Sequence, residues 1–430
     1  MMPPQVDRRG FLATSAATSA ALGAIATSSQ VHGASSPNEK IAIGVMGLGR
    51  GSALAAAIAA QPDAEVAYLC DVDSRRLAPV VEAIGGKQAR KPKAVGDFRK
   101  ILDDPAVDAL AIAAPDHWHA PATILACAAG KHVYVEKPCC HNPHEGELQI
   151  AAARKHDRVV QVGTQRRSWP AVIEAIEKLR EGAIGRVLYS RGWYANRRPT
   201  IGKGKLTSPP PELDYSLWQG PAPERPFKDN YLHYTWHGFW NWGTGELGNN
   251  GVHALDMCRW GLGVDFPTRV TSGGGKYRYD DDQETPDTHT VTFDFGGKSI
   301  FWEGLSWSPR GMEGEGFGAT FHGERGTMVI NSTGYVLYDL MNKEIGKASS
   351  KAGDEVHMAD FVASIRAGRR SHADIEEGYK STLLCHLGNI AYRVGRVLHC
   401  DPQSGRVLND DEAMRLWTRE YRPGWEPKVS

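Results

Sequence analysis

Three short stretches of this 430-residue sequence carry residue types that can move protons or hold phosphate. One is Glu136-Lys137-Pro138, where an amine sits between an acid and a proline at the end of an apolar run. So placed, Lys137 is unlike a solvated surface lysine and can hydrogen-bond a reacting hydroxyl. Another is Gly245-Glu246-Leu247-Gly248-Asn249-Asn250-Gly251-Val252-His253-Ala254-Leu255-Asp256. An imidazole, with an ordinary pKa of about 6.5, is suited to exchanging a hydroxyl proton near neutrality. On a helix Asn249 and His253 share one face, and Asp256 lies one turn beyond. Asn249 can orient a hydroxyl but cannot ionise; Asn250 serves equally as helix N-cap or ligand. The third stretch is Gly44-Val45-Met46-Gly47-Leu48-Gly49-Arg50-Gly51-Ser52. Gly47 and Gly49 fit the first two positions of a dinucleotide fingerprint, with the small Ser52 in the third and Gly51 adding flexibility.

Chemistry of this kind needs elements that aim it. From Lys40 to about Gly163, strand-like runs (41–46, 65–69, 109–113, 131–135, 158–162) alternate with helical ones (52–60, 75–84, 119–129, 145–156). That alternation predicts a parallel sheet with helices on both faces, a doubly wound Rossmann domain. The glycine loop then lies between strand and helix, where a helix N-terminus favours pyrophosphate. Asp71 ends the next strand and can accept hydrogen bonds from the adenosine ribose, which favours NAD over NADP, although Arg75 and Arg76 follow closely. Pro115, Asp116, His117 and His119 follow the third of these runs and Glu136 and Lys137 the fourth, at the strand ends where such folds bind ligands. His117 and His119 either contact a ligand or merely start their helix.

After about Ser168 the pattern changes to strands without intervening helices, so an α+β domain with a mostly antiparallel open sheet is expected. A Gly/Pro-rich loop from Arg197 to Gly245 carries Trp218, Trp236, Trp240 and Trp242 with Tyr231, Tyr234, His233 and His237. Aromatic faces of this kind pack on sugar C–H surfaces, and imidazole and phenol groups bond hydroxyls; at least half of the tryptophans are expected to fill core instead. The domain boundaries read as 38–165 and 166–430, with the C-terminal helices able to pack back on the first domain.

These motifs, in this order from about Lys40 to Trp425, resemble the glucose–fructose oxidoreductase, inositol dehydrogenase and rhizopine-catabolism (Gfo/Idh/MocA) family. The resemblance implies an NAD-dependent enzyme acting on a secondary alcohol of a sugar or polyol. It implies that Lys137 lies between nicotinamide and substrate, with a cis peptide before Pro138, and that His253 is the catalytic histidine. The cofactor contacts would be Gly47, Gly49, Arg50, Gly51, Asp71, Pro115, His119, Glu136 and Lys137. Substrate contacts would be Trp236, His237, Trp240 and Asp256, and Asn249 would join Lys137 and His253 as a catalytic residue where the family often has aspartate. Two other readings stay in view: an NAD-dependent glycosidase or lyase acting through a transient 3-keto sugar, and a non-catalytic sugar-binding protein of the same fold.

The first 35 residues read as an address. Arg8-Arg9-Gly10-Phe11 before a short apolar run resembles a twin-arginine export signal, so a periplasmic destination and a tightly held, recycled cofactor are expected. No membrane anchor is expected. Lys+Arg and Asp+Glu both total 50, and no basic stripe is present, which argues against a nucleic-acid partner. Seven irregularly spaced cysteines suggest buried thiols, neither a disulfide framework nor a metal site. A homo-oligomer is expected.

Overall fold

A computed structural model describes residues 40–430. The arginine pair and the remainder of the export-signal reading lie outside the described residues.

Strands β1 (Ile41–Met46), β2 (Ala64–Cys70), β3 (Lys93–Val95), β4 (Ala109–Ile112), β5 (His132–Val135) and β6 (Val160–Val162) form one parallel sheet in the order β3-β2-β1-β4-β5-β6. Every residue of β1 is buried, as expected of a central strand covered on both faces. Helices α1 (Gly51–Ala59), α2 (Leu77–Gly85), the single turn α3 (Arg99–Leu102), α4 (Asp116–Ala128) and α5 (Pro143–Lys155) make the crossovers. Strand order reverses between β1 and β4, so loops diverge there and leave a crevice at the strand ends. Short, exposed β3 has no apolar pattern, which is why the sequence does not show it.

After α6 (Pro170–Arg180), the strands β7 (Val187–Ala195), β8 (Arg269–Gly275), β9 (Thr288–Asp294), β10 (Ser299–Leu305), β11 (Phe317–Gly323), β12 (Gly326–Ile330), β13 (Gly334–Asp339), β14 (Glu344–Ser349) and β15 (Leu398–His399) form a nine-stranded sheet. Its order is β14-β13-β12-β11-β7-β10-β9-β8-β15, and only the β7–β10 pair is parallel. Burial alternates along β9 and β10 as one face packs on helices. Between β7 and β8 lie α7 (Tyr215–Gln219) and α8 (Val252–Leu262).

Two C-terminal helices, α9 (Asp354–Ala367) and α10 (Ile375–Val394), return to the first sheet. Met358, Phe361 and Val362 of α9 share a core with Ile41, Ile43 and Leu54. Gln161 Nε2 donates to the His357 carbonyl at 2.9 Å. Among the described residues, no helix is long and apolar enough to cross a membrane. All seven cysteines are buried and free.

Candidate active site

A cavity of about 630 Å³ runs along the carboxyl ends of β1, β2, β4 and β5. The parallel sheet forms its floor, and the long loop after β7 forms its roof. That loop has a core of its own, in which Leu213, Trp218, Phe227, Tyr231, Trp236 and Trp242 are buried together. It is tied down at the far end of the cleft: Asp214 N–H donates to Val72 O at 2.9 Å, and Ser74 N–H to Glu212 O at 3.0 Å. The His233 ring reaches Asp73 Oδ2 at 2.9 Å. Leu217, Trp218 and His233 thereby become cavity walls opposite Asp71 and Arg76.

At this end the backbone fits a dinucleotide. Gly47 has φ of +84°, and a Cβ there would lie 2.7 Å from the Ala113 carbonyl oxygen, so only glycine permits the turn. Ser52 Oγ closes the loop by donating to Gly49 O at 2.9 Å. Asp71 accepts from the Leu48 N–H at 2.7 Å and the Asp73 N–H at 2.9 Å, which fixes its carboxylate against the glycine loop. Burial pushes the Asp71 carboxyl above its ordinary range despite those bonds and the nearby Arg76. Lone pairs remain for a ribose diol. Arg50 spans from this loop to the other domain: Nε donates to Glu136 at 3.1 Å, and its two terminal nitrogens hold Asp354 of α9 at 2.7 and 2.5 Å.

The opposite end carries the proton-handling groups. Lys137 Nζ donates to the Asn249 carbonyl at 2.9 Å and to Asn249 Oδ1 at 3.1 Å. The Lys137–Pro138 peptide is cis. Asn249 sits in a π-helical turn, Leu247–Gly251, that leads into α8, and His253 lies in the first turn of α8. Such turns recur at functional sites. His253 lines the cavity, and its Nδ1 has no hydrogen-bond partner among the described residues. Burial first, then the cations Arg166, Lys137 and Arg50, hold its pKa well below the ordinary 6.5. The ring is therefore neutral at physiological pH and able to accept a proton. A reaction that uses His253 as its base should have the acid limb of kcat/KM well below pH 6.5, because the base form survives as pH falls. Arg166→Met, which removes a nearby cation, should move that limb upward. A pH–rate profile with a limb at or above 6.5, unmoved by this change, would remove His253 from the role.

Family models match both halves of this layout. One, described as the oxidoreductase family NAD-binding Rossmann fold, spans residues 41–164. The other, the oxidoreductase family C-terminal alpha/beta domain, spans residues 195–427, more than half of the chain. The chain belongs to the Gfo/Idh/MocA oxidoreductase family. A levoglucosan dehydrogenase of Pseudarthrobacter phenanthrenivorans is 29% identical over 185 residues, 43% of this chain and 40% of that protein. A glycosyl hydrolase family 109 protein of Saccharopolyspora erythraea is 28% identical over 210 residues, 44% of this chain and 45% of that one. The chain thus spans under half the length of these curated relatives. In three dimensions, levoglucosan dehydrogenase in complex with NADH and levoglucosan superposes with a TM-score of 0.67 at 21% identity, over 84% of this chain and 99% of that one, a likeness of fold.

Within this Gfo/Idh/MocA chain, most residues expected at the site line one cavity: Gly47, Gly49, Arg50, Asp71, Pro115, His119, Glu136, Lys137, Trp236, His237, Asn249 and His253. Gly51 stands apart from that wall at the start of α1, where a Cβ would lie 3.0 Å from Val45 Cγ1. Two expected substrate contacts are elsewhere. Asp256 lies three residues beyond His253 on α8, only about 60° from it around the helix, so its partners and not its spacing turn the carboxylate away from the cavity. It is buried against the Arg167 guanidinium, with Nε at 3.0 and 2.9 Å from its oxygens, and accepts from Ser381 Oγ at 2.6 Å. Trp240 lies beneath the Arg393 guanidinium, 5.2 Å from the ring centre, and does not face the cavity. His119 lines the cavity, but its two ring nitrogens face carbonyls, Pro138 O at 2.6 Å and Ala114 O at 2.7 Å, and its single N–H, in the neutral form that burial favours, donates to one of them, so it braces the Lys137-Pro138 turn. His117 is likewise held by the Trp218 carbonyl at 3.0 Å. Asn250 is no N-cap: its amide donates to Glu246 Oε2 at 2.6 Å.

Other cavity residues carry no signal in the sequence. Phe98 comes from the segment after the unrecognised β3, and Gln165 follows β6. Asp116 is visible in the Pro115–His119 run but has no distinctive spacing. It is fully buried, accepts from Thr244 Oγ1 at 2.7 Å, and burial pushes its carboxyl up to about 7.

Proposed function

We propose that this protein interconverts a secondary alcohol of a sugar or polyol and the corresponding ketone, using an NAD that stays bound and is restored within each catalytic cycle. One observation carries the reading: a single covered cleft holds a dinucleotide-fitting glycine loop at one end and Lys137, Asn249 and His253 at the other. Bound NAD⁺ would supply the acceptor for the hydride lost by a carbinol carbon. The chain's part is geometric and protonic. His253, neutral in its buried setting, takes the hydroxyl proton; Lys137, fixed by Asn249, donates a hydrogen bond to the same oxygen as negative charge develops there. Asp71 favours an unphosphorylated adenosine ribose. His237 and Trp236, stacked with centroids 3.6 Å apart, supply a face for sugar C–H groups.

The strapped roof favours tight binding, since release of a dinucleotide requires the loop anchored at Asp73, Ser74 and Val72 to open. Tight binding suits the exported protein that the N-terminal arginine pair suggests, because a freely dissociating cofactor would be lost outside the cytoplasm. We assign self-association to the half-buried face of the nine-stranded sheet, seen in the alternation along β9 and β10.

Similarity to a glycosyl hydrolase family 109 protein favours a second reading, in which oxidation at sugar C3 is transient, acidifies the neighbouring C–H and permits loss of a glycosidic group before reduction. One experiment separates these readings. Native mass spectrometry of the purified protein is expected to show one dinucleotide per chain, and a panel of monosaccharides and glycosides is then added. Lasting nicotinamide reduction by a free sugar supports the oxidoreductase; release of an aglycone without net reduction supports the glycosidase. Protein that arrives empty, binds NAD weakly and answers to no sugar contradicts both and leaves a binding protein.

A further inference from the structure

Position 249 carries an amide where the family often has a carboxylate, and the structure shows how the amide is kept in order. Lys137 Nζ has two acceptors on Asn249, the backbone carbonyl at 2.9 Å, which is fixed, and Oδ1 at 3.1 Å, which depends on how the side chain is turned. An asparagine side chain turned over by 180° has nearly the same shape but presents NH₂ instead, a donor facing the lysine's own donors. Nothing within Asn249 chooses between the two. Its Nδ2 has two partners, the Tyr234 hydroxyl at 3.2 Å and Glu246 Oε1 at 3.4 Å. A phenol can donate or accept, so Tyr234 tolerates either orientation. A carboxylate only accepts, so Glu246 selects the one that turns oxygen toward Lys137. Glu246 is itself fixed, accepting from Arg198 Nε at 3.1 Å and from the Asn250 amide at 2.6 Å.

We propose that Glu246 is the positioning carboxylate of this site, replacing at one remove the aspartate missing at 249 by setting the polarity of the Asn249 amide that holds Lys137. The inference rests on the proposed role of Lys137 in handling the substrate oxygen. Glu246 is separated from Lys137 by the Asn249 side chain and acts through it.

The test is a double-mutant cycle with Asn249→Asp, read by kcat and KM separately. Glu246→Ala in the natural background should lower kcat about 10- to 100-fold, the scale of a catalytic group misplaced by an ångström, while dinucleotide binding changes less than about 2-fold. Glu246→Gln, the conservative variant that keeps size, should fall between. In the Asn249→Asp background the sign should reverse. A carboxylate at this position accepts from Lys137 in either orientation, and Glu246 becomes an adjacent like charge, so its removal should leave kcat unchanged or raise it. Loss of activity of equal size in both backgrounds would make Glu246 a mere anchor for Arg198 and overturn the proposal, as would no loss in either.

A second readout needs no turnover. The side-chain amide protons of Asn249, assigned by their disappearance in Asn249→Asp, should be protected from solvent exchange in the natural protein and lose protection in Glu246→Ala; unchanged protection overturns the proposal. A wild-type protein inert toward every sugar but with this amide behaviour would sink the enzymatic reading and keep the geometric one.

Discussion

Lys137→Ala is expected to reduce hydride exchange between sugar and bound dinucleotide by about 10³-fold or more, while the dinucleotide remains bound. A positioned proton-transfer group contributes about 10²–10⁴-fold. Lys137 Nζ assists that transfer by donating to the substrate oxygen as negative charge develops there, and a donor of that kind is worth about 10²–10³-fold. It sits directly after β5, on a turn braced from below by His119 through the Pro138 carbonyl, and Asn249 holds its tip with two bonds. Lys137→Met, which keeps length and bulk, should be as inactive as alanine if the charge matters. Lys137→Arg should not rescue, since a guanidinium nitrogen carries only two N–H groups, fixed in one plane, whereas Lys137 Nζ uses two on Asn249 and keeps a third for the substrate oxygen. Steady-state rates with native mass spectrometry on each variant decide it. Exchange within about 10-fold of the natural protein, with dinucleotide retained, would remove Lys137 from the chemistry.

Much of this site is legible in the chain because its parts are local. The glycine loop, Asp71 and Glu136-Lys137-Pro138 each occupy the end of a buried strand, and a strand of apolar residues is recognisable without knowing its neighbours. Gly47 is required by a backbone clash with Ala113, and that requirement is visible as glycine at a fixed offset from β1. The second sheet is readable in kind, as strands without helices. Its weaker members are not: β8 ends in three glycines, exposed β14 mixes charge with small residues, and neither alternates clearly.

What escapes depends on contacts across the chain. Spacing places Asp256 beside His253, yet Arg167, 89 residues earlier, decides which way its carboxylate turns. Four tryptophans in one loop suggest a sugar platform, but Trp242 is fully buried within the loop's own core and Trp240 turns to Arg393. In sequence Glu246 is a lone acid among glycines; only the folded π-turn brings it against Asn249. A fold's layers follow from patterns of a few residues, whereas the direction of a polar side chain follows from partners that the local pattern does not contain.

Asp256→Asn supplies the sharpest test of that distinction, since a substrate ligand and a structural carboxylate fail in different ways. Arg167 and Asp256 have side chains only 4% and 1% exposed. Removing the Asp256 charge leaves the buried Arg167 guanidinium with Glu377 alone, 3.3 Å from Nη1, and costs about 3 kcal/mol, the lower end for a broken buried pair. In a protein of this size that corresponds to a fall in Tm of roughly 5 °C. The pair continues through Ser381 to Arg259 and Glu377, so it clamps α8 to α10 and both to the turn that follows β6. That turn begins with Gln165 of the cavity wall, and α8 begins with the turn that bears His253, so the clamp keeps two sides of the site in register. Below its Tm, Asp256→Asn should keep KM for the sugar within about 3-fold of the natural value, because the carboxylate contacts no cavity space. Arg167→Met with Asp256→Leu, which removes both charges and restores apolar volume, should recover most of the lost stability. An unchanged Tm with a KM raised about 10-fold or more would return Asp256 to the substrate, and with it the arrangement that motif spacing alone suggests.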